Sequence, residues 1–303
     1  MTKNKALREL SERYRNGTIN RRTFIQKVVL TAGGAVAAGE ALRKLGFGPG
    51  LIREARAGNC DIVTEDLTYP SGQDTVTAYL ARPTEGEPFP TMIVIHEIYG
   101  LSEFAKAVAR LFACNGYLAL APELPECCGG ELPDGKHSAW MLQTLQTGIA
   151  AIPEDEQVKL QDGFIYLTGR DDVDPMHIGS VGFCWGGARS FTFATRNPDL
   201  WAAVVFYGST PPFEDLDNIQ APVLGLYGGL DNNSATSITG RAAETAREMR
   251  ARNKVFEWEV YNRAPHGFFR GDPPPGSRIA DTREANIAKD LMFDFLQRYY
   301  SAT

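Results

Sequence analysis

The stretch His177-Ile178-Gly179-Ser180-Val181-Gly182-Phe183-Cys184-Trp185-Gly186-Gly187-Ala188-Arg189-Ser190 constrains the fold more than any other in the chain. An apolar, partly β-branched run leads into Gly-x-Cys-x-Gly-Gly, and a helix-compatible segment, residues 188–196, follows. This is the strand–turn–helix pattern of a nucleophile elbow, a turn so sharp that small residues must stand two before and two after the nucleophile. Gly182 and Gly186 occupy those places around Cys184. A thiol suits the position, because the thiolate is the attacking species and an adjacent base can generate it. The bare motif also arises by chance, and the competing reading is a buried structural cysteine in a tight strand-to-helix turn.

The pattern around the elbow is strand alternating with helix. Residues 61–68 and 75–82 are β-prone and separated by Tyr69-Pro70-Ser71-Gly72-Gln73, which reads as an antiparallel hairpin. Thr91 to Ile95, Tyr117 to Ala121, Trp201 to Tyr207 and Pro222 to Tyr227 are near-continuous apolar runs of the kind buried on both faces of a parallel sheet. Lys254 to Tyr261 alternates like an outer strand. Helical spacing marks Phe104, Val108, Leu111 and Phe112, with Ser102 as an N-cap, and further helices are expected over 155–167, 239–252 and 280–300. Residues 123–155, rich in Pro, Gly and Glu with a helical piece at 139–149, read as an excursion over the top of the sheet. The expected fold is α/β: one mostly parallel central sheet with helices on both faces and an N-terminal hairpin. Sites in such sheets lie beyond the carboxyl ends of the strands.

Charge divides the chain. Residues 1–57 hold 12 Lys/Arg against 4 Glu, and the remaining residues carry a net charge of −14. So acidic a body argues against binding nucleic acid through phosphate contacts. In the basic segment, Asn20-Arg21-Arg22-Thr23-Phe24-Ile25-Gln26-Lys27 precedes Val28 to Gly39, twelve residues without a charge, and Ala55-Arg56-Ala57 offers a small-x-small cleavage site. That order reads as an export signal, and Arg-Arg followed by an aromatic resembles the twin-arginine signals of bacterial proteins exported folded. The expected division is a signal-like segment at 1–57, engaged by the twin-arginine export machinery, and one domain at 58–303. The alternative is an N-terminal amphipathic helix that packs on the body or on an oligomer partner. Cys60, Cys114, Cys127, Cys128 and Cys184 do not read as a disulfide framework in a chain of 303 residues. None is spaced with His as a zinc site, and no metal or cofactor is expected.

Downstream of the elbow come Gly228-Gly229-Leu230-Asp231 at a strand end and Ala264-Pro265-His266-Gly267-Phe268 after the last strand. The order nucleophile, acid, histidine suits a triad in which His266 takes the thiol proton and Asp231 fixes the imidazole's tautomer and steadies its cation. Asp215 and Asp217 are weaker substitutes, since they follow no strand directly. Of the other histidines, His137 lies in the excursion, His177 starts a strand and His96 belongs to an earlier turn. Glu97, in the turn after Ile95, is a strand-end carboxylate beside the expected second oxyanion donor, or a plain surface Glu.

With these motifs in place, residues 62–300 resemble the dienelactone hydrolase family, including His-Glu-Ile-Tyr-Gly at 96–100, Gly-Phe-Cys-Trp-Gly-Gly at 182–187 and His-Gly-Phe at 266–268. The resemblance implies the α/β-hydrolase fold, a Cys184–His266–Asp231 triad, and an oxyanion hole made by the backbone N–H groups of Trp185 and Ile98. It implies that Glu97 holds the resting thiol until substrate displaces it. It further implies that Arg270 binds a substrate carboxylate. A second family Arg is expected a few residues after Pro122-Glu123-Leu124, where this chain has Pro125-Glu126-Cys127-Cys128. The implied activity is hydrolysis of a small-molecule ester or lactone through an acyl-enzyme. A general carboxylesterase or thioesterase, and a non-enzymatic protein that senses oxidants or binds ligands through Cys184, are the other readings.

Overall fold

The computed structural model describes residues 3–16, 18–19, 21–32, 35–47, 60–124, 154–231, 238–273 and 276–300. The chain falls into two compact units, Met1–Ile62 with Phe293–Thr303, and Val63–Met292.

The first unit contains three helices, α1 (Lys3–Arg15), α2 (Arg21–Ala32) and α3 (Ala35–Lys44). Phe24, Val28 and Ala32 recur at four-residue spacing and so share one face of α2. They bury against Leu7 of α1 and Ala38 and Leu42 of α3. Tyr14 stacks on Phe24 with ring centroids 4.6 Å apart, and Arg15 lies over Phe47 while donating to the Leu45 carbonyl at 2.7 Å. The Arg21-Arg22 pair opens α2 and Phe24 is fully buried, so the described part of the signal-like segment has an apolar cluster of its own. Among the described residues no helix is long and apolar enough to cross a membrane.

The chain continues with β1 (Ile62–Ser71), β2 (Asp74–Pro83), β3 (Phe89–Ile95), α4 (Glu103–Cys114), β4 (Leu118–Pro122), α5 (Glu154–Thr168), β5 (Val173–Phe183), α6 (Trp185–Arg196), β6 (Ala203–Phe206), β7 (Val223–Gly228), α7 (Ile238–Ala251), β8 (Phe256–Tyr261) and α8 (Arg283–Tyr300), which from Val63 to Met292 make up the second unit. The eight strands form one sheet in the order β1-β2-β4-β3-β5-β6-β7-β8. β2 meets β4 antiparallel, and every pair from β4 to β8 is parallel. α4 rests on β2 and β4, and α6 on β5 and β6. Ile93, Ile95, Leu118, Leu120, Ile178, Val205 and Val223, all buried, belong to the core between these layers.

Local differences from the sequence pattern have physical reasons. β1 runs through Tyr69-Pro70-Ser71, which read as a turn, and the turn shrinks to Gly72-Gln73. Tyr69 is buried there, donating to the Lys159 carbonyl at 3.0 Å and stacking on Tyr166, while Ser71 donates to Asp162 at 2.7 Å. Pro70 is tolerated because β1 is an edge strand. β6 stops at Phe206 because Tyr207 takes φ +40°. α8 starts at Arg283, one residue beyond Thr282, whose hydroxyl accepts the Ala285 N–H at 3.2 Å. The expected helical piece at 139–149 lies outside the described residues.

The cysteine reading needs correcting in part. Cys60 and Cys114 are disulfide-bonded, whereas Cys184 is a free thiol. Cys127 and Cys128 lie outside the described residues.

Candidate active site

β3, β5, β6, β7 and β8 run parallel, so the residues that follow them emerge along one rim. Register keeps the ends level: Ile95 is opposite Gly182, Phe183 opposite Phe206, and Gly228 opposite Tyr261. Cys184 therefore follows β5, Glu97 follows β3, Tyr207 follows β6, Asp231 follows β7 and His266 follows β8.

Cys184 stands between β5 and α6 with φ 56° and ψ −115°, a conformation that costs a non-glycine residue of order 1–3 kcal/mol and needs surrounding structure to hold it. The Cys184 N–H donates to the Phe206 carbonyl at 3.0 Å, and its own carbonyl accepts the Gly187 N–H at 3.0 Å. Gly182 and Gly186 are required by packing. A Cβ on Gly182 would collide with the Gly186 carbonyl, and one on Gly186 with the carbonyls of Ile95 and His96. The turn thus presents a partly exposed thiol above the sheet.

His266 Nδ1 lies 2.6 Å from Asp231 Oδ2, with the carboxylate side chain 1% exposed. The acid loop is tied to the exit of β8 by Gly229 N–H to the Tyr261 carbonyl at 2.8 Å and Leu230 N–H to the Ala264 carbonyl at 2.9 Å. Burial disfavours charge on the imidazole, but the Asp231 carboxylate, together with the nearby Cys184, outweighs it and pushes His266 up to about 10. Asp217 instead pairs with Arg252 at 3.3 Å, and His177 pairs with Asp174 at 2.7 Å near the start of β5.

Glu97 is 2% exposed and forms an ion pair with the partly buried Arg270, and the Tyr207 hydroxyl stands 3.5 Å from its other oxygen. Burial raises the Glu97 carboxyl above its ordinary value, opposed by the Arg270 cation. This departs from the implied resting arrangement. Here the carboxylate is paired with Arg270, because a buried carboxylate gains most from the cation it can reach. Arg270 also donates to the Asp272 carbonyl at 3.1 Å, and its backbone bridges to Ile279. A cleft of about 570 Å³ adjoins the His266–Arg270 loop, with Arg263 and Arg278 among its lining residues.

Trp185 is the first residue of α6, directly after Cys184, and Ile98 lies in the turn after β3. Glu123, just past β4, accepts the Leu101 N–H at 2.9 Å and so braces that turn. Tyr207 escaped the sequence reading, although its place directly before Gly208 at a strand end was a usable signal. Its ring meets His266 edge to face at 5.0 Å. Among the described residues there is no cluster of His, Cys, Asp and Glu able to hold a metal ion.

A mixed, mostly parallel sheet with a strained Cys184 turn after a central strand, and with Asp231 and His266 in loops after two later strands, has the architecture of an α/β-hydrolase-fold protein. Residues 76–300 match the model of the dienelactone hydrolase family. Relatives from Escherichia coli O157:H7 and Methylorubrum extorquens, both bearing the name "Putative carboxymethylenebutenolidase", are 37% and 32% identical. Each match covers 68% of this chain, and 78% and 72% of the respective relative. A solved Klebsiella pneumoniae structure described as a "Putative Dienelactone Hydrolase" superposes with a TM-score of 0.66 at 29% identity, covering 78% of this chain and 99% of that one. The chain belongs to the dienelactone hydrolase family and is a hydrolase.

Proposed function

We propose that the protein hydrolyses small carboxylic esters or lactones through an acyl-enzyme on Cys184, with His266 and Asp231 as its partners. The observation that carries this reading is the Asp231–His266 pair at 2.6 Å, its imidazole coupled to the partly exposed Cys184 thiol at the same rim of the sheet. The thiolate attacks the substrate carbonyl carbon, and the carbonyl π electrons move onto oxygen. The N–H groups of Trp185 and Ile98 receive that oxyanion; removing one such donor typically costs about 10²–10³ in kcat. The C–O bond then breaks, and the His266 imidazolium gives its proton to the departing alkoxide. The neutral ring next takes a proton from water, whose oxygen attacks the thioester and releases the acid. Asp231 stays ionised and holds the ring's orientation throughout.

Arg270 supports a preference for substrates bearing a carboxylate, as dienelactone does. Such a group would compete with Glu97 for the guanidinium and free the Glu97 carboxylate near the thiol. With no second Arg at 125–128, the anion would be held by one guanidinium. We also infer export by the twin-arginine route. The disulfide-bonded state of Cys60 and Cys114 supports it, since such bonds persist in oxidising compartments.

Intact-mass analysis across a panel of esters and lactones tests the reaction. A mass increase equal to the acyl group, absent in Cys184→Ala and cleared by water in the wild type, is the expected result. A wild-type chain that none of the probes acylates or loses to hydrolysis overturns it. For export, the mature protein should lack Arg21 and Arg22 at its N-terminus; an intact basic segment on protein from the native cell envelope rules the inference out.

A further inference from the structure

Arg189 and Glu156 form a buried ion pair that the triad does not use. Arg189 Nε lies 2.8 Å from Glu156 Oε2, with the two side chains 6% and 0% exposed. The guanidinium also lies over the Trp185 indole, 3.9 Å from its centroid. The same indole stacks in parallel on His96, with centroids 5.4 Å apart and planes 5° from each other. The His96 ring is fixed in turn at both nitrogens. Nε2 accepts the Leu124 N–H at 3.0 Å, which leaves the proton on Nδ1, 2.5 Å from the Glu97 carbonyl that it donates to. Burial lowers the basicity of this ring, in keeping with a neutral imidazole.

These contacts link three elements: Glu156 on α5, Arg189 and Trp185 on α6, and His96 at the exit of β3. They run past the two backbone groups assigned above to the oxyanion hole. Trp185 carries one donor itself, and Ile98 is two residues from His96. The backbones also touch directly, since Gly186 leaves no room for a Cβ against the carbonyls of Ile95 and His96. Stability alone gives little reason for the ion pair, because a well-packed apolar pair usually does as well as buried charges. A planar cation fixed by a buried carboxylate does, however, determine where an indole lies.

We propose that Glu156, Arg189, Trp185 and His96 form a positioning stack that sets the two oxyanion donors at the spacing an acyl-transfer transition state requires. The inference rests on the hydrolase reading. None of the four side chains touches the reacting atoms; they act through the Trp185 and Ile98 N–H groups.

The test compares two reactions of the same thiol. Acylation by an ester develops an oxyanion, whereas alkylation by iodoacetamide does not. Arg189→Lys keeps a charge for Glu156 but loses the flat contact, and the double variant Arg189→Met/Glu156→Met removes both charges, so that no lone carboxylate stays buried. In each, kcat for an ester that acylates the wild type should fall roughly 10–100-fold while KM stays within about threefold, the signature of lost positioning in the transition state. In Arg189→Lys, which keeps the positive charge that acts on Cys184, alkylation should keep its rate and pH profile. Folded variants that retain wild-type kcat overturn the stack, as does a parallel fall in acylation and alkylation, which would locate the effect at the thiol. If no ester or lactone acylates the wild type, the hydrolase reading fails and the stack fails with it.

Discussion

His266 sets the electrostatics of the site at the residue scale. Held up at about 10 by Asp231 and Cys184 against the effect of burial, its ring is protonated at neutral pH. The folded-state value lies above the ordinary value of about 6.5, so the imidazolium's bonds stabilise the fold fully below about pH 6.5. That contribution is lost as pH rises through about 10. Urea unfolding of wild type and Asp231→Asn should therefore show a wide stability gap near neutral pH that narrows towards about pH 10; a gap constant with pH would contradict the assignment. The same variant should retain thiol and fold but lose roughly 10⁴ in kcat, because the ring is no longer held in the productive tautomer. Glu97→Gln leaves the partly buried Arg270 without its carboxylate and should lower stability in denaturant unfolding, by less than the roughly 3–5 kcal/mol typical of breaking a fully buried pair. In the resting protein it should not change Cys184 alkylation, since the Glu97 carboxylate is engaged by Arg270.

The elbow shows most clearly, at the element scale, how sequence becomes geometry. Two glycines were legible as the small residues of a sharp turn, but not what crowds them. In the folded chain Gly186 abuts the backbone of β3, an element about 90 residues earlier. Gly186→Ala should destabilise the protein by at least ~3 kcal/mol, because two carbonyls must shift and neither is the flexible end of a side chain. A urea midpoint within error of the wild type would show that the contact relaxes cheaply. Apolar runs identified β3 to β7 because strands buried on both faces need no alternation. The end of β1 was misread as a turn: Pro70 and Ser71 have turn chemistry locally, and only the packing of Tyr69 on Tyr166 keeps them extended.

On the scale of the whole molecule, the cysteines separate by role. Cys60 and Cys114 are each disulfide-bonded and Cys184 is not. Iodoacetamide under non-reducing conditions should label Cys184 in the native protein and leave Cys60 and Cys114 unlabelled even in denaturant. Labelling of either without reductant would refute the bridged state.

Sequence by itself determined the strand–helix alternation, the elbow and the order of nucleophile, acid and histidine, because backbone sterics, burial periodicity and turn chemistry act over a few residues at a time. It could name Glu97 and Arg270, but not that they bind each other, nor that Arg189 and His96 meet on one indole. Those pairings join residues as much as 173 positions apart. Only the tertiary structure decided them, since which buried charge finds which partner depends on where the sheet's rim brings distant loops together.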